Sequence, residues 1–233
     1  MRKLLFLFFT IAVSLTLLGT SQATVNGIPL RDFPQQSILF DSLTLKSKNH
    51  IENIILLPEE EFDQIEAANM ISRIDKLPDS MLEKIAHHRI QLKLFQGKLT
   101  DNPSADHLKG LIPRGYQNGT KWDEVPGVGG SKIVLAKIGN SEKGMGHGSV
   151  NLELHELAHS VDRYVYDAIR DDQTFVFVWK KESKLLFPGR PYFINYPEEY
   201  FAETFAMFFA GDEHTELLRE AAPETYLFIK SLK

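Results

Sequence analysis

The stretch NLELHELAHSVDRYV, residues 151–165, constrains the fold of this chain most, because it carries two histidines four residues apart. Residues i and i+4 share one face of an α-helix, so His155 and His159 can turn both imidazoles toward one ion. Glu156, the next residue, can reach a water on that ion without being a ligand. The alternative is an ordinary amphipathic helix with its histidines at the rim. Its buried stripe would be Leu152, Leu154, Leu157, Ala158 and Val161. The spacing favours a metal site.

A third ligand is expected on a second helix, because catalytic zinc usually has three protein ligands and an open position. No histidine follows at the short metzincin spacing. The apolar stretch YPEEYFAETFAMFFAG, residues 196–211, carries Glu199 and Glu203 four apart. A buried carboxylate is costly unless it is paired or binds metal. We therefore expect Glu199 to bind the metal and Glu203 to accept a histidine N–H. The alternative is that Glu198, Glu199 and Glu203 form a solvated edge.

Composition limits the chemistry of such a site. The chain has no cysteine, which excludes disulfides and leaves only nitrogen and oxygen ligands. A zinc-bound water loses its proton readily, and a carboxylate such as Glu156 can accept it during attack on a carbonyl. A tyrosine phenol that donates a hydrogen bond to the developing oxyanion would stabilise the tetrahedral intermediate. Tyr192 and Tyr196 both precede the second helix, and spacing alone does not choose between them.

The N-terminus predicts a signal peptide, residues 1–23, and hence a secreted protein. Arg2 and Lys3 precede an uncharged run from Leu4 to Leu18, and Ala23 ends a small-residue cleavage pattern. The run of about 15 residues is shorter than the roughly 20 that a membrane span needs. The alternative is an uncleaved anchor. After cleavage we expect no stable membrane association.

The remaining residues, 24–233, predict a single domain and a monomer. We expect an N-terminal lobe over about 24–149 and a C-terminal lobe over about 150–233. The hydrophobic share of 43% can build a core. The net charge of −5 and the absence of a basic patch exclude nucleic acid as an expected partner.

Hydropathy patterns predict an α+β fold. Strands are expected at 51–57, 89–95 and 131–139, with 89–95 half exposed. A helix is expected over 59–77 with three glutamates in its first turn, and a capping box of Ser80 and Glu83 would start the next. Loops are expected over 97–130 and 140–149, and helices from about 150 onward. The expected architecture is a small twisted sheet with helices, packed on a mainly helical lobe with a zincin-like active-site helix.

Several segments in order resemble the secreted bacterial Pro-Pro endopeptidases, which are related to the catalytic domain of anthrax toxin lethal factor. The main ones are NLELHELAHSVD and YPEEYFAETFA. The others are LKLFQGKLTD (92–101), LKGLIPRG (108–115), KWDEVPGVGGS (121–131) and APETYLFIKSL (222–232). The resemblance covers the chain from about residue 50 to its end.

The resemblance implies one zinc ion held by His155, His159 and Glu199, with Glu156 as general base and Glu203 behind the ligands. The family's catalytic tyrosine lies seven residues before the ligand glutamate, which favours Tyr192 over Tyr196. Trp122 matches a tryptophan that stacks against substrate proline. We also expect substrate contacts from Glu198 and from His147, in a loop that either closes over the peptide or merely connects two elements.

The implied function is secreted zinc-dependent hydrolysis of proline-rich segments, between two prolines, in bacterial surface or extracellular proteins. A proline-rich peptide is already close to polyproline II, so docking it against aromatic walls costs little entropy. Two alternatives stay open: a lethal-factor-like toxin protease with another specificity, and an inactive secreted binding module.

Overall fold

The computed structural model describes residues 26–116 and 118–232, so the predicted signal peptide lies outside the described residues. The strands of this part are β1 Ile28–Pro29, β2 Ile55–Leu57, β3 Gln91–Phe95, β4 Gly127–Val128 and β5 Ile133–Lys137. The α-helices are α1 Ile38–Asp41, α2 Lys48–Ile54, α3 Gln64–Ile74, α4 Asp79–His87, α5 Leu152–Ser160, α6 Gln173–Leu186, α7 Pro191–Asn195, α8 Pro197–Ala210, α9 Asp212–Ala221 and α10 Pro223–Ser231. The predicted α+β class, with a small sheet and a helical second half, is confirmed.

The strands form one mixed sheet in the order β1-β2-β3-β5-β4. Strands β2, β3 and β5 run parallel, and β1 and β4 are antiparallel edges. The prediction that 89–95 is half exposed was wrong, because Leu92 to Phe95 are all buried. The strand lies at the centre of the sheet between two parallel partners, and such strands are covered on both faces.

Several predicted element boundaries in the first half were wrong. The expected strand at 51–57 is helical up to Ile54 and extended only from Ile55. A short apolar run fits a buried helical turn as well as a buried strand, so its hydropathy does not decide. The next helix begins only at Gln64, because the Asp63 side chain accepts the Ile65 and Glu66 amides. The three glutamates of the expected first turn therefore precede the helix.

The expected capping box is also absent. Helix α4 begins at Asp79, and no side chain caps its first amides. Ser80 lies inside the helix, where it cannot act as the N-cap, and that position is taken by Pro78.

Helix α5 is the element on which the two halves of the chain meet. Asn151 caps it by accepting the Leu154 amide at 3.0 Å. The helix packs against β5 on one side and α8 on the other. The apolar stripe that the alternative interpretation assigned to this helix is buried, since Leu152, Leu154, Leu157, Ala158 and Val161 are at most 1% exposed. One continuous apolar core crosses the expected lobe boundary near residue 149. No described helix is both long and apolar enough to cross a bilayer.

The edge segment that begins with β4 lies directly on α5, a contact that the expected loop over 97–130 did not foresee. A Cβ added to Gly129 would lie 1.9 Å from the Glu156 carbonyl oxygen. A Cβ on Gly127 would lie 2.9 Å from the side chains of Glu156 and Leu152. The absence of side chains at both positions therefore sets the spacing between the sheet edge and the helix.

This contact predicts that Gly129→Ala destabilises the protein. The added methyl group would meet rigid helix backbone, so we expect the free energy of unfolding to fall by about 3 kcal/mol. For a chain of this size that corresponds to a melting temperature about 6–12 °C lower. Gly148→Ala is the matched control, because its Cβ would meet only the end of the Arg190 side chain, at 3.4 Å. Equal melting temperatures for the two variants would contradict the close approach.

Candidate metal centre

The three predicted metal ligands converge where α5 faces α8. The Nε2 atoms of His155 and His159 each lie 3.5 Å from Oε2 of Glu199. The donor atoms of all three residues lie within 4.8 Å of one another. The four-residue spacing stacks both imidazoles on one face of α5, and α8 supplies the carboxylate from across the groove. Two imidazole nitrogens and one carboxylate oxygen form a donor set that suits zinc.

The electrostatics of this group also fit a cation. Burial alone would lower the pKa of His155, but its hydrogen bonds to Glu199 and Glu203 raise it to about 10. Burial alone would raise the pKa of Glu199, yet hydrogen bonds to both histidines hold it well below its ordinary value. Both shifts favour positive charge between the carboxylates. A divalent cation at this point would satisfy the same groups, so the residues present fit a bound zinc ion.

Glu203 lies behind the histidines, away from the converging donor atoms. Its Oε2 is 3.1 Å from Nδ1 of His155, and its Oε1 accepts the Val150 amide at 3.1 Å. The residue is only 1% exposed. Burial would raise the pKa of Glu203, but the bond from His155 keeps it below its ordinary value. A bond at Nδ1 leaves Nε2 facing the groove, which is how such partners orient a metal-binding imidazole.

Glu156 lines the same groove without belonging to the converging donor set. Burial raises its pKa, while the neighbouring histidines oppose that rise. Gly127 and Gly129 pack against it, so the glutamate is confined between α5 and the sheet edge. A carboxyl group whose pKa is raised by burial can exchange a proton more readily near neutral pH.

The structure distinguishes the two candidate tyrosines. Tyr192, in α7, lines the groove, and burial, the charge of Glu199 and a hydrogen bond to Glu199 raise its pKa. Its phenol is therefore a neutral donor. Gly115 lies against this ring, since an added Cβ would be 3.1 Å from it. Tyr196 does not line the groove, and its ring lies under the Arg114 guanidinium at 4.2 Å.

The groove has a volume of roughly 490 Å³ and is lined by residues from both halves of the chain. Trp122 and Glu198, predicted to contact substrate, both line it. His147 does not line it, and its Nε2 lies 2.7 Å from the Asn140 carbonyl oxygen within its own loop. A role for His147 in substrate binding stays a prediction.

Four groove residues with polar or charged side chains were not predicted from the sequence: Arg114, Tyr116, Arg163 and Arg170. Arg114 Nη2 lies 2.7 Å from Glu198 Oε1 and 3.5 Å from Glu199 Oε1. Burial and the charges of Glu156 and Glu199 raise the pKa of Tyr116. The segment LKGLIPRG, already part of the resemblance, was the one signal that could have pointed to Arg114.

Comparison with known proteins places this arrangement in a family. The family described as "Anthrax toxin lethal factor, N- and C-terminal domain" matches residues 43–232. A Pro-Pro endopeptidase from Paenibacillus alvei is 38% identical over 183 residues, which is 78% of this chain and 84% of that protein. One from Clostridioides difficile is 37% identical over 195 residues, 82% of this chain and 87% of that protein.

A solved structure agrees with the sequence matches. The structure of a Pro-Pro endopeptidase from Paenibacillus alvei, PPEP-2, aligns with a TM-score of 0.75 at 38% identity. The alignment covers 79% of this chain and 100% of that one. The chain therefore belongs to the anthrax toxin lethal factor family and, within it, groups with the Pro-Pro endopeptidases.

Proposed function

We propose that this protein is a zinc-dependent endopeptidase that hydrolyses the bond between two prolines. The observation that carries the proposal is the converging donor set of His155, His159 and Glu199, with Glu156 beside it in an open groove. The names of the relatives support the proline-specific substrate class.

The proposed chemistry gives separate tasks to the three ligands, Glu156, Tyr192 and Glu203. Zinc held by His155, His159 and Glu199 would act as a Lewis acid and lower the pKa of a water. Glu156 accepts a proton from the attacking water and passes it to the proline nitrogen as the C–N bond breaks. Tyr192 donates its phenol proton in a hydrogen bond to the carbonyl oxygen as negative charge develops there. Glu203 keeps the His155 imidazole in the orientation that the site needs.

The groove also has features suited to a stiff, proline-rich peptide. Trp122 and Tyr192 offer aromatic faces, and proline rings pack well against such walls. A peptide that is already in the polyproline II conformation loses little entropy there. Secretion, and with it a substrate in extracellular or surface proteins, remains part of the proposal and depends on residues 1–23.

Cleavage mapping tests the proposed function directly. A zinc-loaded chain is incubated with a mixed peptide library, and the products are identified by mass spectrometry. We expect cuts only between adjacent prolines. Cuts at other bonds would contradict the specificity but not the peptidase chemistry, and the absence of any cut would refute both.

The Glu156→Gln variant is expected to lose this activity. The amide cannot take a proton from water, so kcat should fall by about 10³-fold or more. Because Glu156 is not in the donor set, zinc stoichiometry measured by elemental analysis should stay at that of the unaltered chain. A variant that still cuts at the original rate would exclude Glu156 as the base.

The Tyr192→Phe substitution should lower kcat about 10²- to 10³-fold, because it removes one donor to the developing charge. KM should change less than about threefold, since the ring remains as a wall. Steady-state kinetics on one Pro-Pro peptide separates the two constants. Tyr196→Phe is the matched control, because that hydroxyl belongs to a residue outside the groove lining. Equal losses in both variants would argue against a specific role for Tyr192.

Zinc removal should abolish activity, and readdition of zinc should restore it.

Glu203→Gln should weaken zinc binding about 10- to 100-fold, because a carboxylate partner raises the basicity of its histidine. Competition with a chromophoric chelator measures this affinity. Glu216→Gln, at an exposed acid that pairs with Arg219, is the control and should bind zinc like the unaltered chain. An unchanged affinity in Glu203→Gln would contradict the orienting role.

A further inference from the structure

One end of the groove, beyond His159, is lined by two arginines that the proposed chemistry does not use. The glycine-rich segment 127–130 runs alongside α5, from Gly127 against Leu152 and Glu156 to Gly130, where an added Cβ would lie 3.8 Å from the His159 Cβ. Arg163 Nη1 then donates to the Gly130 carbonyl oxygen at 3.1 Å. Arg163 therefore stands where this wall of the groove ends, and Arg170 lines the groove with it.

The chain departs from regular structure twice to bring these arginines there. After Ser160 the helix widens into a π-helical turn, Val161–Val165, a form that occurs often at functional sites. Asp167 and Ala168 then adopt φ values of 53° and 66°, which are uncommon for residues with side chains. This left-handed turn brings Arg170 back toward Asp162. Such irregularities persist only where surrounding contacts hold them.

Asp162 supplies those contacts from a fully buried position. Its Oδ1 accepts the Arg170 amide at 2.9 Å, its Oδ2 pairs with the Arg170 guanidinium, and its carbonyl oxygen accepts the Ala168 amide at 2.8 Å. Arg170, whose side chain is 31% exposed, is thus held in place. One carboxylate faces this arginine, so the pair Asp162 and Arg170 is close to neutral.

Arg163 supplies the net positive charge at this end. Among the described residues no carboxylate lies within ion-pair distance of it, and its contacts are the Gly130 carbonyl and the Tyr164 ring. Arg114, on another part of the groove lining, is instead paired with Glu198 and Glu199. The groove is therefore electrostatically uneven, with an uncompensated guanidinium beyond His159.

We propose that Arg163 and Arg170 form a subsite for a substrate carboxylate, either an Asp or Glu side chain or a free C-terminus. The inference rests on the proposed peptidase function and adds a determinant of specificity to it. The planar guanidinium of arginine matches a carboxylate with two parallel hydrogen bonds. An extended peptide advances about 3.3 Å per residue, so the short glycine wall places this carboxylate within about three residues of the scissile bond.

The first test measures binding without cleavage. Zinc-loaded Glu156→Gln protein is titrated with fluorescent, C-terminally amidated peptides that are neutral apart from one position and contain a central Pro-Pro. Glu or its isostere Gln is placed two, three or four residues from the bond, on either side. At one position we expect the Glu peptide to bind about 3- to 10-fold more tightly than the Gln peptide. This ratio of the two affinities, the Glu-to-Gln ratio, should be smaller at high salt. A second set, with Gln and a free C-terminus, separates a terminal carboxylate from a side chain.

Charge reversal then assigns the preference to the arginine. In the Glu156→Gln background, Arg163→Gln should bring the Glu-to-Gln ratio to about one, and Arg163→Glu should favour Lys over Gln at the same position. Arg170→Lys, which keeps the charge beside Asp162, should only reduce the ratio. Arg219→Gln, at an exposed arginine of α9, is the control and should keep it.

The outcomes separate this inference from the proposed function. Equal binding of Glu and Gln peptides at every position, or a preference that survives Arg163→Glu, overturns the subsite. Cleavage of the same peptides by the unaltered chain is scored independently. Preferred binding of Glu peptides without any cleavage would support the subsite and refute the proposed peptidase function. Cleavage of Pro-Pro bonds without a preference for Glu peptides would support the peptidase function and refute the subsite.

Discussion

The contact between α5 and α8 across two buried carboxylates organises this protein. Glu199 and Glu203 are 7% and 1% exposed, and a carboxylate in such surroundings is costly unless something balances its charge. His155 and His159 supply that balance, but only when α5 lies against α8 in one register. The contacts between these histidines and carboxylates therefore form the candidate metal site and also hold the two helices together. It joins residues up to 48 positions apart in the chain.

Helix α5 can make this contact because its different faces pack against different parts of the protein. Its apolar stripe is fully buried in the core shared by both halves of the chain, which holds the helix rigidly. Its histidines face α8, and its Glu156 faces the sheet edge, where Gly127 and Gly129 leave room for it. A rigid helix that carries two of the proposed metal ligands and the proposed base gives the short, constant distances that the proposed hydrolysis requires.

Some elements of the fold and the site could be predicted from the sequence, and others could not. Periodicity predicted helices from about residue 150 onward and the α+β class. The cost of burying charge indicated that Glu199 and Glu203 in the stretch 196–211 need a cationic partner. The half-exposed strand at 89–95 was wrong, because a strand's place in the sheet depends on neighbours distant in sequence. The capping box at Ser80 was wrong because the helix begins one residue earlier, at Asp79. Arg114 lies in a segment that carries the resemblance, and Arg163 and Arg170 lie in the part of the chain expected to be helical. No spacing within one element connected these three arginines, or Tyr116, with the site.

By itself, the sequence determined the local chemistry: which residues could bind a cation, which helix faces had to be buried, and that nitrogen and oxygen were the available ligands. Those conclusions depend on spacing within one element, where helix geometry converts residue number into direction. Only the tertiary structure decided that Tyr192 and not Tyr196 lines the groove, that Arg114 pairs with Glu198, and that Arg163 stands unpaired beyond His159 among the described residues. These facts depend on contacts between loops and distant elements, which the packing of the whole chain creates and no local pattern specifies.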